Sequence, residues 1–145
     1  MQPLRPLPEL SPTGAVWRGA VTALLIALPA GVVNQFVVGS DGTSVVVLLL
    51  WIVIMFGAAT GGYAVLRLAP SAGLPHAAAA GALAYAAVQL LGVIRRLASG
   101  ETISWVAYPF LAMLMAIMAM FGGMYARRVV RRYAPDSSGP AGEDR

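Results

Sequence analysis

Four long apolar runs, each without Asp, Glu, Lys or Arg, constrain this chain more than any other feature. They occupy residues 19–38, 45–66, 75–94 and 103–126. A helix of about 20 residues crosses the hydrocarbon core of a bilayer, and only helices and closed barrels satisfy their own backbone polar groups there. Of the 145 residues, 59% are hydrophobic and 11% charged, against about 45–50% and about 25% in soluble domains. We therefore predict an all-α integral membrane protein.

Short polar segments, rich in Gly and Ser, separate the runs at residues 39–44, 67–73 and 95–101. Connections this short make consecutive helices antiparallel, so we predict a four-helix bundle of two antiparallel transmembrane hairpins. This domain covers residues 15–133. A Pro-rich cytoplasmic tail, 1–14, precedes it, with Ser11 capping and Pro12 opening the first helix. A tail typical of disorder, 134–145, follows it. The first run is longer than a signal-peptide core of about 7–15 residues, so we expect it to be retained.

The arginines indicate the orientation in the membrane. The side that holds both termini collects Arg5, Arg18, Arg67, Arg127, Arg128, Arg131 and Arg132. The other side has Arg95 and Arg96, close to two carboxylates. By the positive-inside rule both termini are cytoplasmic, and the Ala-, Gly- and Arg-rich composition suggests a bacterial inner (plasma) membrane. Because the arginines flank apolar runs, we exclude nucleic acid as a partner.

Small residues recur at helical spacing toward the cytoplasmic ends of the runs. Gly57 and Gly61 form a GxxxG motif in the second run, and Ala77 and Gly81 form a matching pair in the third. Such residues let helix backbones approach closely in lipid. We therefore predict that spans two and three make their closest contact at these small residues, in the cytoplasmic half of the membrane. The helix-packing residues are predicted to be Gly57, Gly61, Gly62, Ala77, Gly81, Gly122 and Gly123.

The second and fourth runs end alike, in "MFGAATGGYAVLRLAP" at 55–70 and "MFGGMYARRVVRRYAP" at 120–135. A tandem duplication of one hairpin would explain this, and so would the shared requirements of a membrane exit. The four arginines of the second stretch, Arg127, Arg128, Arg131 and Arg132, share one helix face. We interpret them as a topology anchor in contact with the bilayer; specific binding of anionic lipid headgroups is the alternative.

Reactive groups are scarce. The apolar runs contain no carboxylate, His76 is the only histidine, and the chain has no cysteine. We therefore expect no catalytic residue, metal site or cofactor, and do not predict an enzyme. The methionine-rich fourth run is interpreted as packing and not as a copper site.

Three amides lie within the runs, Asn34 and Gln35 in the first and Gln89 in the third. At similar depth they either line a polar cavity or tie helices together by hydrogen bonds of about 0.6 kcal/mol each. Because no charged group accompanies them, the sequence favours ties.

The whole chain, with "GGY" at Gly61, "GGMY" at Gly122 and an arginine-rich C-terminus, resembles small four-span bacterial membrane proteins of uncharacterised function. It lacks the first-span glutamate of small multidrug exporters and the first-span glycine-arginine motif of fluoride channels. Our first hypothesis is a structural or accessory subunit, forming a homo-oligomer or binding a membrane-protein partner. A small pore or transporter for a neutral solute or ion, and a holin-like protein, are the alternatives.

Overall fold

The computed structural model describes residues 10–37, 45–100 and 105–133, which form four α-helices and no strand. The helices are α1 (Pro12–Val37), α2 (Val45–Leu68), α3 (Leu74–Ala98) and α4 (Ala107–Tyr133). All four are long and apolar enough to cross a membrane. The prediction of an all-α, four-helix membrane fold is therefore confirmed. Most of both predicted tails, and residues 38–44 and 101–104 of the two hairpin connections, lie outside the described residues.

The helix ends follow from local sequence. The Gly14 N–H donates to the Ser11 side-chain oxygen at 3.2 Å, so the predicted cap at Ser11 is confirmed and α1 begins well before the apolar run. At the start of α3, the Gly73 N–H donates to Nδ1 of His76 at 3.3 Å. The last helix continues past the apolar run to Tyr133, so its four arginines stand on helical backbone.

The helices pack in the ring order α1, α2, α4, α3. The first helix contacts α2 and α3, the last contacts the same two, and described residues of α1 and α4 do not touch. Helices α2 and α3 lie diagonally across this ring, and their contact is the least extensive of the five. We call the end of the bundle at which α1 and α3 begin the terminal end. The opposite end, at which α1 and α3 finish, is the hairpin end.

Glycines bring α1 and α2 into backbone contact. A Cβ placed on Gly61 would lie 2.7 Å from the carbonyl oxygen of Gly19 and 2.8 Å from the Cβ of Ala23. A Cβ on Gly57 would lie 3.2 Å from the Ala23 carbonyl oxygen. The predicted pairing of spans two and three is therefore wrong, because the GxxxG face of α2 packs on α1. Small residues of α1, beginning with Gly19, provide the complementary surface.

A second crossing joins α2 to α4. A Cβ on Gly62 would overlap the carbonyl of Ala119, and one on Gly122 would overlap the carbonyl of Ala59. Each helix thus contributes one glycine and one alanine, and neither glycine has room for a side chain. The two backbones are in direct contact, which increases dispersion contacts in a solvent that supplies no hydrophobic force between helices.

The remaining predicted packing residues lie between α3 and α4. A Cβ on Gly81 would stand 2.7 Å from the Met115 carbonyl oxygen, and one on Gly123 would stand 3.1 Å from the Cβ of Ala77. Ala77 and Gly81 were expected to face α2, and the structure places α4 there. Toward the terminal end the core is largely alanine with Val65 and Leu66, so the helices pack tightly around short side chains.

We expect Gly62→Ala and Gly122→Ala each to lower the free energy of unfolding by at least about 1–3 kcal/mol, because the new methyl group must push two backbones apart. Titration of the micelle-solubilised protein with denaturing detergent measures this. Gly31→Ala is the matched control, since its methyl group would meet only a Val88 methyl, at 3.3 Å. Equal losses in all three variants would contradict a special role for the α2–α4 crossing.

Candidate functional site

A cavity of about 440 Å³ opens between the helices on the hairpin side of the glycine crossings. All four helices line it, and its volume lies within the range of about 300–1,000 Å³ of small-molecule sites. Its deepest residues, one from each helix, are Ala23, Ala58, Gly81 and Met115. The lining stops there, next to the backbone contacts just described. The described lining therefore does not continue past these contacts toward the terminal end.

Small residues create this space. Ala23, Ala27 and Gly31 follow one another at intervals of four along α1, Gly81 and Ala84 lie three apart on α3, and all five line the cavity. Residues three or four apart lie on the same helix face, so small residues of two helices face the same space. Larger lining side chains come from α2, from α4 and from the rest of the α3 lining. Short side chains thus close the terminal half of the bundle and leave a hollow in the other half.

The structure places two of the three predicted cavity amides, Asn34 and Gln89, in the lining. The side chain of Gln35 lies outside the described residues. The Oδ1 atom of Asn34 is buried and has no hydrogen-bond partner among the described residues. A helix tie through that oxygen, the interpretation that the sequence favoured, is therefore absent from the described structure.

Tyr85 is a cavity residue that the sequence analysis missed. Its side chain is 8% exposed and packs in a cluster with Ala58 and Met115. Its hydroxyl is buried without a hydrogen-bond partner in the described structure, and the residue lines the cavity. An unpaired buried polar group costs about 1–3 kcal/mol. The signal for it was a polar aromatic inside an alanine-rich run, "HAAAAGALAYAA".

Charged and aromatic side chains line the hairpin end of the cavity, and we call this end of the described lining its mouth. Arg95 and Arg96, in the last turn of α3, both belong to the lining. An Nη1–H of Arg96 donates to the Tyr108 hydroxyl at 3.3 Å. The Tyr108 ring also contacts Trp105, with ring centroids 6.1 Å apart. In the sequence these arginines were only the two positive charges predicted on the side opposite the termini. The fold places both in the lining of the cavity.

Other candidate groups lie away from this cavity. The side chain of His76 helps to cap α3. Nη2 of Arg127 donates to the carbonyl of Ala72 at 3.3 Å, which ties α4 to the connection between α2 and α3. Arg128, Arg131 and Arg132 are exposed; their contact with anionic lipid stays a prediction. In the described ranges, no three His, Cys, Asp or Glu residues are grouped so that they could hold a metal ion.

Comparison of the chain with protein-family models, with curated proteins and with solved structures finds no match.

We expect Tyr85→Phe to leave the free energy of unfolding unchanged or to raise it by up to about 1–3 kcal/mol, since it removes a buried hydroxyl that has no partner. Tyr85→Ala is the control: it removes the packed ring and should cost about 3–5 kcal/mol. Unfolding of ligand-free protein in micelles measures both. A large loss in the phenylalanine variant would mean that the hydroxyl has a partner and is not available to a ligand.

Proposed function

We propose that this protein is a membrane-embedded binding protein whose cavity receives a small amphipathic molecule. The observation that carries the proposal concerns two residues that line one cavity, Asn34 and Tyr85. Each has a buried polar atom, Oδ1 and the hydroxyl respectively, without a hydrogen-bond partner among the described residues. Buried polar groups in folded proteins are nearly always hydrogen-bonded. A guest molecule with hydrogen-bonding groups would supply the missing partners when the Asn34 and Tyr85 side chains rotate their polar atoms toward the cavity.

The order of the lining residues favours an amphipathic guest. The floor is apolar, with Ala23, Ala58 and Met115, and the mouth carries Arg96 and Tyr108. A molecule with an apolar part and a polar head matches this gradient when its head lies toward the hairpin end. Sites of this kind bind through apolar surface and take their specificity from a few placed polar groups.

The geometry favours binding over our first hypothesis, a structural or accessory subunit. That hypothesis rested on the contrast between the extensive small-residue surface of spans two and three and the absence of any reactive group of residues in the sequence. In the structure Gly57 and Gly61 contact α1, while Gly62 and Gly81 contact α4. These small-residue surfaces are therefore buried between helices of the same bundle. A homo-oligomer or a larger complex stays a prediction, and these surfaces no longer support it.

The geometry also favours a binding site over an open pore, the second hypothesis. The cavity stops where Gly19 meets Gly61 and where Gly62 meets Ala119. Transport through the bundle would require these backbone contacts to separate. The holin-like alternative has only the basic end of α4 in its favour. We propose no chemical reaction for the cavity.

We further propose that the protein lies in the plasma membrane of a bacterium with both termini cytoplasmic, so that the cavity opens outward. The terminal end of the described bundle carries Arg67 and the four arginines of α4. Aromatic contacts lie toward both ends, Tyr63 with Tyr125 at the terminal end and Trp105 with Tyr108 at the hairpin end. Both features agree with interfacial anchoring and the positive-inside rule.

Trp51 lines the cavity, so it can report binding once the other two tryptophans are replaced. Trp17→Phe replaces an exposed ring, and Trp105→Phe keeps an aromatic ring in contact with Tyr108. We expect 10-bromodecanol, a neutral amphiphile that quenches tryptophan, to quench Trp51 saturably when the protein is held in zwitterionic nanodiscs. Ala84→Phe fills part of the cavity and should weaken this binding at least tenfold, or about 1.4 kcal/mol.

Ala87→Phe is the matched control for that experiment, because Ala87 lies on the exposed face of the same helix. Its binding curve should stay within about twofold of the parent protein. Quenching that rises linearly with probe concentration, to the same extent in all three proteins, would show that the probe acts from the bilayer, and the cavity would then not be a binding site.

The orientation can be tested by labelling, since the chain has no cysteine. Ser99 lies at the hairpin end and Ser71 at the terminal end, and both are exposed. We expect a membrane-impermeant maleimide to label Ser99→Cys on intact spheroplasts and to label Ser71→Cys only after lysis. The reverse pattern would turn the cavity toward the cytoplasm, and labelling of both sites on intact cells would contradict the four-span topology.

A further inference from the structure

We infer that the bound molecule is a single-chain amphiphile with an anionic head, and that Arg95 and Arg96 bind this head at the cavity mouth. The inference rests on the proposed binding function and adds the chemistry of the ligand. It comes from three features of one cavity: guanidinium groups at the mouth, polar atoms partway down, and an apolar floor closed by backbone contacts.

Arg96 provides the clearest anion-binding group. Its guanidinium carries five N–H donors in a plane, and the hydrogen bond to the Tyr108 hydroxyl uses a single one of them at Nη1. That bond holds the guanidinium against α4, and the contact with Trp105 holds the tyrosine ring in turn. The Tyr108 hydroxyl, while accepting from Arg96, can donate its own proton to an oxygen of the ligand. An anchored arginine of this kind suits carboxylate or phosphate, which it binds with two parallel bonds.

Arg95 adds a second positive charge to the same lining. Its side chain already interacts within the protein, so it contributes through its positive charge. The sequence places Asp41 and Glu101 in the two connections at this end, so the formal charge there is balanced. The position of two guanidinium groups in the cavity wall, and not a net charge, therefore carries the inference.

The remainder of the cavity fits one apolar chain. Below the arginines the lining passes Asn34 and Gln89, continues along Ala27 and Val88, and ends at Met115. Methionine is unbranched and adapts to irregular apolar shapes, which suits the end of a flexible chain. A volume of about 440 Å³ is small for a two-chain lipid and adequate for a drug-sized guest, so we assign a single chain.

Two sources could supply such a molecule, a fatty acid from water or a lysophospholipid from the bilayer. We therefore propose two matched pairs of probes with equal brominated chains, read by quenching of Trp51 in zwitterionic nanodiscs. The first pair is a bromodecanoate and the corresponding bromodecanol. The second is a brominated lysophosphatidic acid and the corresponding monoacylglycerol. Within each pair the apolar tail is held constant while the negative charge is added or removed.

We expect the anionic member of at least one pair to bind at least tenfold more tightly than its neutral partner, a difference of about 1.4 kcal/mol. The pair that shows the larger preference identifies the source. In the double variant Arg95→Gln/Arg96→Gln the preference should fall to about twofold or less, while the neutral probes keep their affinity. Arg67→Gln, an exposed arginine at the opposite end, should change neither value.

If the double variant does not fold, two further measurements replace it. Arg96→Gln alone should reduce the preference at least threefold, about 0.65 kcal/mol. In the protein with both arginines, raising the salt from about 0.05 M to about 0.5 M should weaken only the anionic probes, since mobile ions screen charges at an open mouth. A preference that ignores both changes overturns the assignment to these arginines.

The outcomes separate this inference from the proposed function. Saturable binding of the neutral probes without preference for either anion overturns the anionic head and leaves the binding function standing. A preference of equal size in the double variant overturns the role of Arg95 and Arg96. Quenching that does not saturate with any of the four probes overturns the binding function itself, and the inference with it.

Discussion

Contact between helix backbones at glycine and alanine is the interaction on which the rest of this structure depends. Lipid tails are as apolar as the side chains they meet, so no hydrophobic force gathers the helices. Stability must come from many short-range dispersion contacts, which grow only when backbones come close. The crossings of Gly19 with Gly61 and of Gly62 with Ala119 provide that closeness. They join α2 to α1 and to α4, and so hold both hairpins together.

The same small residues have the opposite effect toward the hairpin end. Where two helix faces lined by glycine and alanine are in backbone contact, no space remains between the helices. Where two such faces are separated, their short side chains leave a cavity between them. Ala27 and Ala84 line that cavity, and it is the part of the described bundle that holds the unpaired atoms of Asn34 and Tyr85. Glycine and alanine thus build both the closed half and the hollow half of the described bundle. If the cavity binds a ligand as proposed, its polar groups stand on helices and so are ordered before the ligand arrives.

Much of the fold could be predicted from sequence, and less of the site. Uninterrupted apolar runs predict helices because no other open structure satisfies its backbone in lipid. Asn34 and Gln89 stood out as polar groups in apolar runs, and both line the cavity. Tyr85 and Arg96 did not stand out, since tyrosine tolerates burial and an arginine at a helix end suits a topology signal equally well. The tandem-duplication interpretation stays open, because nothing in the described fold distinguishes shared ancestry from shared membrane constraints.

By itself the sequence determined that four helices form, that they are long enough to cross a membrane, and which residues are small enough for close packing. These properties are local, set by composition over one helix length. Only the tertiary structure decided which helices pair. The motif Gly57-xxx-Gly61 indicates that one face of α2 has little side-chain volume, but it does not indicate which helix packs on that face. We predicted α3 as the partner, and the structure shows α1. The cavity is likewise a property of four helices at once, since its volume exists only between faces that are distant in sequence.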